Sequence, residues 1–180
     1  PWPGNQGKPY NALFLLADGE VVHRQYKFDL PNYGVFDEKR VFAPGVLPKP
    51  IEFRGIKFGL LICEDMWSLK ACKTLKDADI IISINGSPYE VGKHEKRLER
   101  AGANIDLLNR PLIYVNQICG QDDLVFDGDS FVLSRNKEIQ VALSRTEETL
   151  ELTAWDKKEE GWHCRPGAQK RYMQYEEMYQ

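Results

Sequence analysis

Three short apolar runs, at 56–62, 79–84 and 111–116, alternate with two longer polar or amphipathic stretches. Each run is too short for a core helix and is bounded by turn-forming or polar residues, so each is predicted to be a buried strand. The stretch 94–109 places Leu98, Ala101, Ile105 and Leu108 on one helical face, with Lys96, Arg97, Glu99 and Arg100 mostly elsewhere. A shorter helix is expected after Cys63, with Glu64 and Asp65 as candidate caps and an end near Leu75. Strand, helix, strand, helix, strand at this spacing requires crossover connections, and therefore a sheet covered by helices on at least one face.

The flanks follow the same logic. Residues 11–17 and 20–26 form a predicted hairpin about Asp18-Gly19, because a tight primed turn needs the positive φ that glycine tolerates. Between 28 and 50 stand Pro31, Pro44, Pro48 and Pro50, so a long ordered loop is expected there, and loops of that length in compact domains are usually functional. Residues 131–133, 138–143 and 149–155 read as antiparallel strands, and beyond Asp156 the polar, aromatic chain reads as a connecting arm.

Composition narrows the function classes. Hydrophobic residues make up 42% and charged residues 28% of 180 positions, which supports one sizeable core and excludes global disorder. A net charge of -3, with no basic stripe, argues against nucleic acid or an anionic membrane as partner. The longest apolar run, 58–63, is far short of the roughly 20 residues that cross a bilayer. The opening Pro1-Trp-Pro-Gly reads as the middle of a longer chain. Cysteines at 63, 72, 119 and 164 lack C-x-x-C spacing and histidines at 23, 94 and 163 are dispersed, so neither a zinc cage nor a disulfide framework is expected. Reduced thiols in a cytoplasmic protein are the default reading.

Cys63 stands where a buried strand emerges into a polar turn, a position that can hold a nucleophile rigidly against a cleft. Taken alone it reads first as a small buried hydrophobe. Lys27 ends the second hairpin strand and could reach the same sheet end, where an ammonium would lower a thiol pKa and bind a developing oxyanion. Taken alone it is a solvated lysine. Glu38 and Asp37 sit beside Lys39 and Arg40 in the long loop, where a surface ion-pair cluster is the plain interpretation. The stretch from Gly86 to Lys93 invites a phosphate-loop reading, but five residues separate its glycines and His94 occupies the place of the Mg²⁺-binding hydroxyl. His94 is expected to cap or solvate the helix start.

Together, Lys27-Phe-Asp-Leu-Pro-Asn-Tyr-Gly-Val-Phe-Asp-Glu-Lys-Arg40, Leu61-Ile-Cys-Glu-Asp-Met-Trp67 and Asn85-Gly-Ser-Pro-Tyr89 with Gly92-Lys93 resemble the nitrilase (carbon-nitrogen hydrolase) superfamily. Tyr114-Val-Asn-Gln117 and Gly120-Gln-Asp-Asp-Leu-Val-Phe-Asp-Gly128 narrow the resemblance to the glutaminase domain of bacterial glutamine-dependent NAD synthetases. The likeness runs from about Tyr10 to Trp155. It implies an α/β fold, a four-layer α-β-β-α sandwich here lacking its N-terminal βα unit. It also implies a Glu-Lys-Cys triad, with Cys63 as nucleophile, Lys27 as the triad lysine and Glu38 supporting. The Glu64 backbone N–H joins Lys27 on the oxyanion, and Tyr33, Ser87 and Lys93 line the substrate pocket. The triad glutamate of the family lies in an earlier unit and falls outside these residues. Cys119 and Asp129 stand where relatives commonly carry glycine.

The resulting expectation is a glutamine amidohydrolase portion over 1–155 and an arm over 156–180 leading to a synthetase domain of the same chain. Glutamine would be cleaved through a Cys63 thioester, and the ammonia would amidate deamido-NAD to NAD. No cofactor or metal is expected in this segment; ATP and Mg²⁺ belong to the synthetase domain. A homo-oligomer is expected. The alternatives are a free-standing amidase or nitrilase of another small amide, and a catalytically incomplete scaffold.

Overall fold

The structure, a computed structural model, describes residues 7–168. The aromatic tail beyond 168 lies outside the described residues. Strands β1 (Ala12–Ala17) and β2 (Glu20–Tyr26) form the expected hairpin, with Asp18 and Gly19 both at positive φ. The main sheet has six strands in the order β10-β9-β6-β5-β4-β3. At its centre β4 (Ile56–Ile62), β5 (Ile80–Asn85) and β6 (Leu112–Asn116) run parallel, as the crossover argument requires. Antiparallel β3 (Ile51–Phe53) flanks them on one side, and β9 (Phe131–Leu133) and β10 (Ile139–Ala142) on the other.

Because side chains alternate along a strand, the sheet has two apolar faces. Leu61, Ile81, Leu112 and Leu133 point to the layer formed by α2 (Leu69–Lys73) and α3 (Lys93–Leu108), where Leu75, Ala101, Ile105 and Leu108 complete the larger core. Leu60 and Ile62 point the other way and meet Leu13 of β1; Val132 and Val141 meet Cys164. The described residues thus supply one helix layer, one full sheet and a hairpin stacked on its far face.

Several expectations change in detail. The loop over 28–50 contains a single helical turn, α1 (Glu38–Val41), and is followed by β3, which pairs with β4 across a turn with Arg54 and Gly55 at positive φ. The helix expected after Cys63 is a 3₁₀ turn, Cys63–Met66, separated from α2 by a break at Ser68. Strands β7 (Ile118–Gln121) and β8 (Leu124–Asp127) form a separate hairpin. No strand forms over 149–154. Instead β11 (Trp155–Lys158) pairs with β12 (Gly161–Cys164), and buried Cys164 makes the segment after Asp156 part of a core. Arg97, assigned by helical period to the polar side of α3, is fully buried. No helix among the described residues is long and apolar enough to cross a membrane.

Candidate functional site

The sheet presents its functional edge where β4 and β5 end. Cys63 leaves β4 at φ 49, a left-handed conformation that costs a non-glycine residue about 1–3 kcal/mol and persists only where surroundings enforce it. Asp65 is the enforcing group. Fully buried, it accepts the Ile62 N–H at 3.3 Å, which closes the 3₁₀ turn, and the Phe28 and Asp29 N–H groups at 3.0 and 2.8 Å. The sequence suggested Asp65 only as a helix cap; its partners 36 and 37 residues upstream leave no local signal.

Lys27 is thereby brought to the same edge. Its side chain is 1% exposed, and its Nζ donates to Glu38 Oε1 at 2.6 Å. Asn11 Nδ2 donates to the other Glu38 oxygen at 3.4 Å. The ion pair expected on the surface near Glu38 is therefore a nearly buried one, and burial of both members makes the pairing obligatory. Asp37 pairs with Arg40 in the exposed manner expected.

Cys63 is half-buried and its thiol is pushed up by that burial. The Lys27 charge and a hydrogen bond from the Gly86 backbone N–H pull the other way, while Glu64 and Glu38 add to the rise. The balance leaves a thiol that does not ionise unaided, so its reaction with an unactivated carbonyl calls for a base. As the second residue of the 3₁₀ turn, Glu64 keeps its backbone N–H free of the turn's own bonding.

Of the three expected pocket residues, two are at this edge. Tyr33 donates its hydroxyl to Glu64 Oε2 at 2.9 Å, and burial, then the Glu64 bond and charge, push its own pKa up to about 12. Ser87 follows Gly86 and donates its N–H to Asn116 Oδ1 at 2.9 Å. Lys93 instead pairs with Glu90 at 3.2 Å at the start of α3. His94 does not cap the helix; partly exposed, it turns its Nδ1 to the Asp129 carboxylate at 2.9 Å.

Residues 2–161 match the carbon-nitrogen hydrolase family. The chain belongs to it. A glutamine-dependent NAD(+) synthetase of Acinetobacter baylyi is 41% identical over 153 residues, covering 84% of this chain and 28% of the relative. One from Aquifex aeolicus is 42% identical over 132 residues, covering 69% and 23%. The solved glutamine-dependent NAD+ synthetase of Acinetobacter baumannii, in complex with ADP, superposes with a TM-score of 0.86 at 38% identity over 95% of this chain and 32% of that one. A carbon-nitrogen hydrolase from Helicobacter pylori shares the fold, with a TM-score of 0.70 at 24% identity over 79% of this chain and 55% of that one. The chain thus spans less than a third of the length of the synthetases it matches.

Within this carbon-nitrogen hydrolase fold, Asp129 has φ 59, a conformation that suits the glycine expected in relatives; Cys119, by contrast, lies in β7 opposite Phe126 without positive φ. Among the described residues no three His, Cys, Asp or Glu side chains gather to hold a metal ion.

Proposed function

We propose that this chain is the glutamine-hydrolysing part of a cytoplasmic NAD synthetase and that Cys63 is its nucleophile. The carrying observation is the convergence on one sheet edge of a strained Cys63, a buried Lys27 ammonium held by Glu38, and the Gly86 N–H facing the sulfur. The synthetase relatives support glutamine as the amide.

In the proposed reaction a carboxylate base takes the Cys63 proton, and the sulfur forms a bond to the side-chain carbonyl carbon of glutamine. The negative charge passes to the carbonyl oxygen, where the Lys27 ammonium and the Glu64 N–H receive it. The C–N bond then breaks, and the nitrogen leaves as ammonia with the proton returned by the base. Water attacks the remaining thioester, releases glutamate and restores the thiol. Glu38 serves this sequence by holding Lys27, and Tyr33 and Ser87 by flanking the amide; Lys93 is the candidate for the substrate carboxylate, once released from Glu90.

The base in this scheme is the family's triad glutamate, since Glu38 is already committed to Lys27 and Asn11. Ammonia would be consumed at a second site in the same protein, with ATP and Mg²⁺ held by residues outside this chain.

The test is Cys63→Ala in the full-length protein. Glutamine-dependent NAD synthesis should disappear while synthesis from ammonium persists, because ammonium bypasses the thioester. Equal loss of both activities would mark Cys63 as structural, and hydrolysis of simple aliphatic amides in preference to glutamine would point to a free-standing amidase instead.

A further inference from the structure

Arg97 is the largest fully buried side chain among the described residues, and the reaction above does not use it. Its guanidinium grips the loop between β5 and α3. Nη2 donates to the Ser87 carbonyl at 2.9 Å and the Pro88 carbonyl at 3.3 Å, and Nε and Nη2 reach the Ser87 hydroxyl at 3.3 and 3.2 Å. On its other side Arg97 is anchored to Asp127 at 2.8 and 3.1 Å and to Asp129 at 3.0 Å. Asp129 also meets His94 at 2.9 Å and Arg145 at 3.2 Å.

Two features separate this cluster from ordinary core packing. A buried ion cluster is rarely the most stable way to fill a core, because apolar residues of similar volume often do as well or better. And the donors of Arg97 are already directed to protein acceptors, so it has no role in gripping a substrate directly. What it joins is specific: Asp127 ends β8, Asp129 follows in a left-handed conformation, and Ser87 lies in the loop that leaves β5 beside Cys63, since Ile84 pairs with Ile62 in the parallel register. Asn116 holds Ser87 from β6, accepting its N–H at 2.9 Å and donating to its carbonyl at 3.0 Å. The Tyr89 N–H bonds the Val125 carbonyl at 2.7 Å. Arg97 supplies a further tether, from the side of α3.

We propose that Arg97 is a positioning residue: by clamping Ser87 and Pro88 to Asp127 and Asp129, it holds the loop that leaves β5 at Gly86 against Cys63 at the end of β4. The proposal rests on the reading of Cys63 as nucleophile, and its consequence is chemical. Loosening the loop withdraws one of the two influences that favour the thiolate, leaving Lys27 to act against burial, Glu64 and Glu38; Tyr33 also faces the sulfur, and so does Tyr114, which bonds Ser87 and feels the Arg97 charge and therefore changes with it.

The experiment uses the full-length protein with Arg97→Lys and Arg97→Met. Iodoacetamide alkylation is followed as a function of pH by mass spectrometry of the peptide carrying Cys63, alongside glutamine-dependent and ammonium-dependent NAD synthesis. The alkylation inflection should move up by about one pH unit, in keeping with the loss of one hydrogen bond to the charged form. The glutamine-dependent kcat should fall at least tenfold while ammonium-dependent synthesis stays intact. An unchanged inflection in a folded variant overturns the proposal. If neither Arg97 variant is recovered folded, Asp129→Asn carries the test: it removes one anchor at constant size and should shift the inflection in the same direction, and an unchanged profile is again decisive against it. Alkylation does not depend on what Cys63 attacks, so this result is distinct from failure of the glutaminase reading, which Cys63→Ala reports.

Discussion

Asp65 Oδ1, two residues beyond Cys63, accepts the backbone N–H of Asp29, two residues beyond Lys27, at 2.8 Å. One buried carboxylate therefore ties the strand end that carries the thiol to the strand end that carries the ammonium. The same group accepts from Phe28 and Ile62, so the relative placement of Cys63 and Lys27 depends on a single side chain that touches neither.

That carboxylate should also shape the response to pH. Burial raises the Asp65 pKa from 3.8 to about 6, outweighing the three N–H donors and the Lys27 charge. A folded-state pKa above the unfolded value means that its stabilising contribution is fully present below about pH 4 and is lost as pH rises through about 6. The loss is on the order of 3 kcal/mol. Asp65→Asn cannot titrate. Thermal unfolding of wild type and Asp65→Asn between pH 4 and 7 should therefore show the wild type losing ground relative to the variant as pH rises, and a pH-independent gap between them would rule the assignment out.

Lys27→Met should lower glutamine turnover by about 100- to 1,000-fold, the usual cost of removing one donor to a developing oxyanion. Lys27→Arg should not rescue it. The lysine side chain is 1% exposed and its Nζ stands 2.6 Å from Glu38, so a larger planar guanidinium has neither the space nor the point charge required. Glutamate release under saturating glutamine measures both variants, and a near-normal rate in either removes Lys27 from the mechanism.

Which parts of this arrangement could be read from the sequence follows from the range of the forces involved. Strands β4, β5 and β6 and helix α3 carry their own apolar pattern, and the β1–β2 hairpin carries its Asp-Gly turn, so each is legible locally. Strands β3, β7 and β8 have three or four residues and exist because a partner strand pairs with them. Arg97 is not legible locally, and Asp65 only as the cap of its own turn, for a related reason. A charged residue reads as solvent-facing unless its partners are known, and Arg97 finds Asp127 and Asp129 at separations of 30 and 32 residues. The site residues Cys63, Lys27, Glu38, Tyr33 and Ser87 were reached through their joint pattern, since each alone favours a structural reading. Lys93 fits that pattern too, yet its ammonium is turned to Glu90.

Gly45 offers a last test of how the site is held, because it supports Lys27 without touching the chemistry. Its N–H donates to the Lys27 carbonyl at 2.7 Å, and a Cβ added at this position would stand 2.5 Å from the Tyr26 carbonyl oxygen and 2.6 Å from the Tyr26 Cβ. Those atoms cannot easily yield. Tyr26 is paired with Ala12 in the β1–β2 ladder, and its ring stacks on Tyr10 with centroids 4.4 Å apart. Gly45→Ala must therefore push the loop away from the strand end that carries Lys27, at a cost of about 1–3 kcal/mol for an overpacked contact. Gly34→Ala is the control: Gly34 has φ 57 and nothing within 4 Å of an added Cβ, so it reports the strain of the left-handed conformation alone, about 1–2 kcal/mol. Both variants should lower the melting temperature, but only Gly45→Ala should lower glutamine-dependent turnover with ammonium-dependent synthesis unchanged. Equal turnover in the two variants would mean that the loop's approach to Tyr26 does not set the position of Lys27.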